Sequence, residues 1–107
     1  MVPSETILAM AARIVERFHP EKVILFGSHA RGQAADASDV DLLVVLSQMP
    51  PRGKRSAPII RMLATEFRLP VDVVVRTAEG MARWRDVPGS LPHEVQREGI
   101  VLYEKGG

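Results

Sequence analysis

The residues with the clearest chemical potential are Asp39 and Asp41, which stand two positions apart at the start of an apolar run. In an extended segment, side chains two positions apart point to the same face, so both carboxylates would project together. Neighbouring anions repel each other unless a cation lies between them. The spacing therefore favours a cation site, although a bare Asp-x-Asp pair is also common in turns and helix caps.

A Gly-Ser pair, Gly27 and Ser28, directly follows an earlier apolar run and precedes Asp39 by ten intervening residues. Gly27 permits a close backbone approach, and a strand-to-helix turn of this kind can present N–H groups to a phosphate. Ser28 could bind a phosphate oxygen or cap the following helix. Arg31 could neutralise phosphate charge or pair with Asp39 or Asp36. Carboxylates for a hard metal beside a phosphate turn indicate nucleotide chemistry.

A third acidic residue, Asp72, stands among valines in the run 71–75. A charge inside so apolar a strand is costly unless it is paired or bound to a metal. The alternative is an Asp that accepts hydrogen bonds from backbone or Arg groups. Together with Asp39 and Asp41 it would place three carboxylates at one end of a sheet, and such oxygens suit Mg²⁺ or Mn²⁺.

Apolar periodicity and breaker residues predict the elements that position these side chains. Five helical segments are predicted: one capped by Ser4 and ended by Pro20, a short one over His29–Ala35 interrupted at Gly32, Ala57–Arg68, a weaker one over Thr77–Arg85, and one from a Ser90 cap through Glu98. Four strands are predicted: Lys22–Phe26, Asp41–Leu46, Val71–Val75 and a short edge strand over Ile100–Tyr103. The valine-rich strand is expected to be covered on both faces.

The strand directions follow if these residues serve one site. Gly27 ends the first strand and Asp41 begins the second, so the two strands would run antiparallel. Asp72 lies near the start of the third strand, which must then run parallel to the second. Parallel neighbours need a long crossover, which the segment 47–70 can supply. The sequence thus predicts an α/β (α+β) fold, with a small mixed sheet of three to four strands flanked by helices.

The composition describes an ordinary globular chain of 107 residues with 46% hydrophobic residues, a formal net charge of +1 and no cysteine. We expect a single domain over residues 1–107, with a disordered tail at 104–107. Disulfides and thiolate zinc sites are excluded, and the charge gives no basic field for direct nucleic-acid binding. No apolar run is long enough for a membrane span, so the expected compartment is the cytoplasm. The three histidines have no metal-ligand spacing and are expected to be exposed.

The motif segments 27–32, 38–42 and 71–74 resemble those of the DNA polymerase β-type nucleotidyltransferase superfamily. The closest likeness is to the minimal nucleotidyltransferases (MNT), the antitoxins of HEPN/MNT toxin–antitoxin pairs. The likeness covers nearly the whole chain and implies a polymerase β-like fold. The Gly-Ser pair, the Asp-x-Asp pair and the downstream Asp together make this motif highly specific.

The resemblance also implies roles for individual residues. Asp39 and Asp41 would bind two Mg²⁺ ions, or Mn²⁺, and Asp72 would complete the metal site and assist deprotonation of the attacking hydroxyl. The triphosphate of ATP would be bound by three residues: Gly27, Ser28 and Arg31.

The implied reaction transfers AMP from ATP to a tyrosine of a HEPN-type ribonuclease toxin, which silences that partner. In this interpretation the chain is an antitoxin that assembles with a protein and binds no nucleic acid directly. Two alternatives remain open. The chain could neutralise its partner by occlusion without catalysis, or it could be a nucleotidyltransferase subunit that acts on a small molecule or an RNA end.

Overall fold

The computed structural model describes residues 2–34 and 38–106. Over these residues the chain forms helices and strands in a mixed order. The helices are α1 (Ser4–Phe18), α2 (Ser56–Phe67), α3 (Ala78–Trp84) and α4 (Leu91–Glu98). The strands are β1 (Lys22–Phe26), β2 (Val40–Leu46), β3 (Val71–Thr77) and β4 (Ile100–Glu104). No helix in these ranges is long and apolar enough to cross a membrane.

The strands form one mixed sheet in the order β3-β2-β1-β4. Strand β1 pairs antiparallel with both β2 and β4, whereas β2 and β3 run parallel. The predicted directions, the α2 crossover and the edge strand are therefore confirmed. The register sets Asp41 opposite Phe26 on one side and opposite Asp72 on the other.

The two faces of the sheet are covered by different helices. On the first face, α1 and α2 pack against alternate strand residues such as Val23, Leu42 and Val73, which form the main core. On the second face, α3 and α4 cover a smaller cluster that includes Leu43 and Val95. Because side chains alternate along a strand, Asp41 shares the second face with Leu43.

The helix starts differ in how they are capped. Ser4 is the first residue of α1 and not its cap; the carbonyl of Pro3 accepts hydrogen bonds from the N–H groups of Thr6 and Ile7. The predicted Ser4 cap is therefore wrong. The predicted Ser90 cap of α4 is confirmed, since its hydroxyl accepts a hydrogen bond from the His93 N–H at 3.3 Å.

The helix predicted over His29–Ala35 is wrong for the part of it that the structure describes. The carbonyl of Gly27 accepts hydrogen bonds from the N–H groups of both Ala30 and Arg31, and consecutive turns continue through Gly32, whose φ is 70°. A positive φ ends a helical path, and Gly32 adopts it without a side-chain clash. Ala35 lies outside the described residues.

Two expectations at the sheet edges also need correction. Strand β3 is an edge strand with Val74 only half-buried, so its second face is not fully covered. The predicted tail at 104–107 begins too early. Glu104 belongs to β4 and pairs with Lys22 at 3.2 Å, and the Lys105 N–H donates to the Glu21 carbonyl at 2.9 Å. Residue 107 lies outside the described part of the chain.

Candidate functional site

Asp41 is the centre of the candidate site. Its carboxylate lies on the second face at the start of β2, half-buried, with Asp72 as its register neighbour on β3. Burial raises the pKa of the Asp41 carboxyl, and the negative charges of Asp72 and Asp39 raise it further. The positive charge of Arg31 acts in the opposite direction. A carboxylate held in this way gains from a nearby cation.

Gly27 closes against this carboxylate. It follows β1 with φ at 74°, and a Cβ built on it would overlap Oδ2 of Asp41. Only glycine therefore allows the backbone after β1 to approach Asp41 this closely. The result is a cradle formed by a carboxylate and a bare stretch of main chain, a combination that fits a metal–phosphate group.

Asp39 and Asp72 are both exposed, beside the half-buried Asp41. The exposure of Asp72 overturns the argument that its burial demands a metal, because an exposed carboxylate at a sheet edge is solvated. No group of three or more His, Asp or Glu side chains among residues 2–34 and 38–106 is arranged to hold a metal ion by itself. Mg²⁺ is commonly bound by one or two carboxylates together with substrate phosphates, and Asp39 and Asp41 fit that smaller requirement.

Arg31 and Ser28 occupy the turn that follows β1. Arg31 pairs with Glu98 at the end of α4, with 3.5 Å between Nη1 and Oε2, and both side chains are about half-exposed. The ion pair is thus with Glu98 and not with Asp39, one of the alternatives that the sequence left open; Asp36 lies outside the described residues. The carbonyl of Ser28 accepts a hydrogen bond from the Gln33 N–H at 2.9 Å, which tightens the turn.

Sequence reasoning misses two residues near the site, Glu98 and His29. The sequence predicts an exposed His29, yet only 8% of it is accessible, and its Nδ1 lies 3.0 Å from the carbonyl oxygen of Asp39. Its position inside the motif turn is the available signal, since that turn faces the acidic pair. Of the other histidines, His19 is exposed as expected, whereas His93 is half-buried.

Comparison with known proteins decides the family. Residues 8–96 match the family model described as the nucleotidyltransferase domain. The chain belongs to this family. The match spans β1, β2 and β3 together with the Gly27 turn, so the candidate site lies within the part of the chain that defines a nucleotidyltransferase.

Two relatives come from Methanocaldococcus jannaschii. The chain is 40% identical over 82 residues to "Putative protein adenylyltransferase MJ0141", an overlap of 77% of this chain and 78% of the relative. It is 47% identical over 45 residues to "Putative protein adenylyltransferase MJ1305", covering 42% of this chain. The matched region spans only 31% of the length of that second relative.

Solved structures share the fold. A chain of a toxin–antitoxin structure with AMP-PNP aligns with a TM-score of 0.69 at 21% identity, over 92% of this chain and 74% of that one. A chain of the complex between tri-AMPylated Shewanella oneidensis HEPN toxin and MNT antitoxin aligns with a TM-score of 0.58 at 19% identity. The alignment covers 90% of this chain and 71% of that one. The predicted polymerase β-like fold is thereby confirmed.

Proposed function

We propose that this nucleotidyltransferase transfers AMP from ATP to a tyrosine hydroxyl of a HEPN-type ribonuclease and thereby acts as its antitoxin. The observation that carries the proposal is the register of β2 and β3, which sets Asp41 beside Asp72 where Gly27 closes over the carboxylate. This juxtaposition combines negative charge for a divalent cation with bare backbone for a phosphate. Family membership directs the chemistry to nucleotidyl transfer.

The cation-binding residues in this proposal are Asp39 and Asp41, with Asp72 completing the set. Two Mg²⁺ ions, or Mn²⁺, would lower the charge repulsion between attacking oxygen and triphosphate and stabilise the leaving pyrophosphate. The raised pKa of Asp41 supports this assignment, because its cause is burial and crowded negative charge.

The chain's own residues account for the rest of the step. The turn at Gly27 and Ser28 binds the triphosphate, and Arg31 adds a positive charge once it exchanges Glu98 for phosphate oxygens. The acceptor hydroxyl oxygen forms a bond to the α-phosphorus while the bond to the bridging oxygen of pyrophosphate breaks. The hydroxyl proton passes to the carboxylate of Asp72, whose exposure on an edge strand leaves it accessible to a protein acceptor.

The choice of a protein acceptor rests on the relatives. The relative that is matched over 78% of its length is named "Putative protein adenylyltransferase MJ0141". The same fold occurs in a complex whose HEPN toxin is AMPylated. The alternative acceptors are a small molecule and an RNA end. All three have a hydroxyl that the same site could use.

The test is to incubate the protein with Mg²⁺ and ATP labelled at the α-phosphate, together with the product of the neighbouring gene. The proposal predicts label on a tyrosine of that partner. ATP labelled at the γ-phosphate should transfer nothing, which separates adenylylation from phosphorylation. Label on RNA or on a small molecule instead would contradict the protein-acceptor assignment.

Neutralisation by occlusion is tested separately. The Asp39→Asn/Asp41→Asn variant keeps the shape of the surface but removes two negative charges from the site. The proposal predicts that this variant no longer neutralises the partner, although it still binds it. Full neutralisation by the variant would support occlusion and contradict a catalytic antitoxin.

A further inference from the structure

We propose that His29 is a positioning residue that fixes the main chain between the two carboxylates of the Asp39-x-Asp41 motif. The inference rests on the proposed function, because it assigns a supporting role within that same site. His29 would not touch the nucleotide. It would act through the peptide group of Asp39.

The ring of His29 is buried and uses both of its nitrogens. Nδ1 lies 3.0 Å from the carbonyl oxygen of Asp39, and the backbone N–H of Val2 lies 3.4 Å from Nε2. Because the Val2 N–H can only donate, Nε2 must accept. The proton of the neutral ring is therefore on Nδ1, which donates to Asp39.

The peptide between Asp39 and Val40 is held from both sides. Its carbonyl accepts from His29, and its N–H, that of Val40, donates to the carbonyl of Pro70 at 3.0 Å. Pro70 directly precedes β3, so the second contact ties the peptide to the strand that carries Asp72. This peptide thus connects the Asp39 main chain to the start of the strand that carries Asp72, one residue before Asp41.

This arrangement matters because Asp39 is exposed and lies just before the first residue of β2. Strand pairing begins at Val40, and the hydrogen bond to Pro70 holds the N–H side of this peptide, whereas its carbonyl side, that of Asp39, needs a second constraint. The buried ring supplies that constraint. Removing a group that orients a metal ligand typically lowers metal affinity or activity by about 10–100-fold.

Four variants separate positioning from simple space filling. His29→Leu fills the pocket and removes both ring contacts. His29→Asn keeps an N–H donor at the same number of bonds from the main chain as Nδ1, whereas His29→Gln places its polar atoms near Nε2. His93→Leu is the matched control, because the Nδ1 of His93 contacts another backbone carbonyl, that of Arg85, also at 3.0 Å.

The readouts are Mn²⁺ affinity in the presence of a non-hydrolysable ATP analogue, measured by electron paramagnetic resonance, and kcat and KM for ATP. Melting temperatures are recorded alongside. We expect His29→Leu to weaken Mn²⁺ binding and lower kcat by about 10–100-fold, with a smaller change in KM for ATP. His29→Asn should recover most of both losses, and His29→Gln should not. His93→Leu should change only the melting temperature.

Two results would overturn the inference while leaving the proposed function intact. In one, His29→Leu binds Mn²⁺ as tightly as the wild type does. In the other, the Asn and Gln variants lose Mn²⁺ affinity equally and in proportion to their melting temperatures, which would make the ring a space filler. If His29→Leu fails to fold, the comparison of Asn with Gln still decides. Failure of the wild type to bind Mn²⁺ with the nucleotide would instead contradict the proposed function itself.

Discussion

The two faces of the sheet are built for different purposes. On the first face, α1 and α2 enclose a continuous apolar core in which residues such as Met10, Ile14 and Leu63 are fully buried. On the second face, the shorter α3 and α4 cover only a small cluster, and a cavity of about 620 Å³ lies between them and the sheet. The cavity lies toward the end of the strands where Lys22 pairs with Val45, and Asp41 lies at the opposite end.

The difference shows how one small sheet can carry both a core and a charged site. A close-packed apolar layer stabilises the fold, but it would make an ionised carboxylate too costly to bury. On the second face Asp41 stays half-buried at the start of β2, where Gly27 and the neighbouring acids crowd it. Stability and chemistry are thereby assigned to opposite sides of the same strands.

The largest expected effect comes from Asp41→Asn. We expect it to lower nucleotidyl transfer about 1000-fold or more, because several kcal/mol of transition-state stabilisation depend on the charge at this position. Its melting temperature in chelator should equal or exceed that of the wild type, since a crowded charge is removed. Glu79→Gln, which removes an exposed acid on α3, is the control and should leave transfer unchanged.

The pH dependence of stability follows from the same carboxyl. Because folding raises the pKa of the Asp41 carboxyl, ionisation of this group lowers the free energy of unfolding. The loss of stability is absent below the pKa of the unfolded state and complete above the pKa of the folded state. Urea unfolding from about pH 4 to pH 8 should therefore show a loss of wild-type stability that Asp41→Asn lacks. Parallel curves for the two proteins would contradict the account of Asp41.

A matched pair in β2 compares the two faces directly. Leu42 and Leu43 are adjacent and fully buried, but Leu42 faces the main core and Leu43 the smaller cluster. Truncation to Ala costs about 2–5 kcal/mol at such sites, and less where neighbours can collapse into the space. We expect Leu42→Ala near the top of that range and Leu43→Ala near the bottom in urea unfolding. The reverse order would mean that the second face is the better packed.

Two glycines test the closeness of the Gly27 turn. Gly27 and Gly32 have similar positive φ angles, 74° and 70°, but only a Cβ on Gly27 would meet Asp41. Both Ala variants should lose about 1–2 kcal/mol of stability from the left-handed backbone. Gly27→Ala alone should also abolish most transfer activity. Equal activity in the two variants would show that the contact with Asp41 is irrelevant.

The smallest effect is expected on the opposite side of the molecule, at the ion pair of Arg13 with Glu66. The Arg13 guanidinium donates to both carboxylate oxygens of Glu66, at 2.9 and 2.6 Å, and lowers the pKa of that carboxyl. The resulting stabilisation is fully present above the pKa that Glu66 has in the unfolded state. It is lost as the pH falls through the lower pKa of the folded state. Glu66→Gln should lower the melting temperature slightly at pH 7 and not in strong acid, a trend opposite in sign to that of Asp41.

Much of this fold follows from the sequence because chemistry constrains the topology. Once Gly27, Asp41 and Asp72 are assigned to one site, the directions of three strands follow, and the register of β2 and β3 agrees. The exposure of Asp72 cannot be predicted in this way. A run of valines is typical of a central strand, and whether such a strand lies at an edge depends on pairing that local sequence does not encode.

The burial of His29 escapes prediction for the same kind of reason. Its partners are backbone groups of Asp39 and Val2, ten and twenty-seven positions away, and backbone groups leave no trace in residue types. The sequence around Gly32 also predicts a helix, but the positive φ of Gly32 makes the segment a series of turns. Residue types alone do not reveal that angle. Contacts between main chain and single side chains are the part of the site that spacing alone does not reveal.

The central claim is that the carboxylates at the start of β2 and β3 carry out adenylyl transfer to a protein. The most direct measurement is the intact mass of the HEPN-type partner after incubation with ATP, Mg²⁺ and either the wild type or Asp39→Asn/Asp41→Asn. We predict adenylyl-sized mass increments on the partner with the wild type and none with the variant. Equal increments with both proteins, or an unmodified partner with the wild type, would contradict the account.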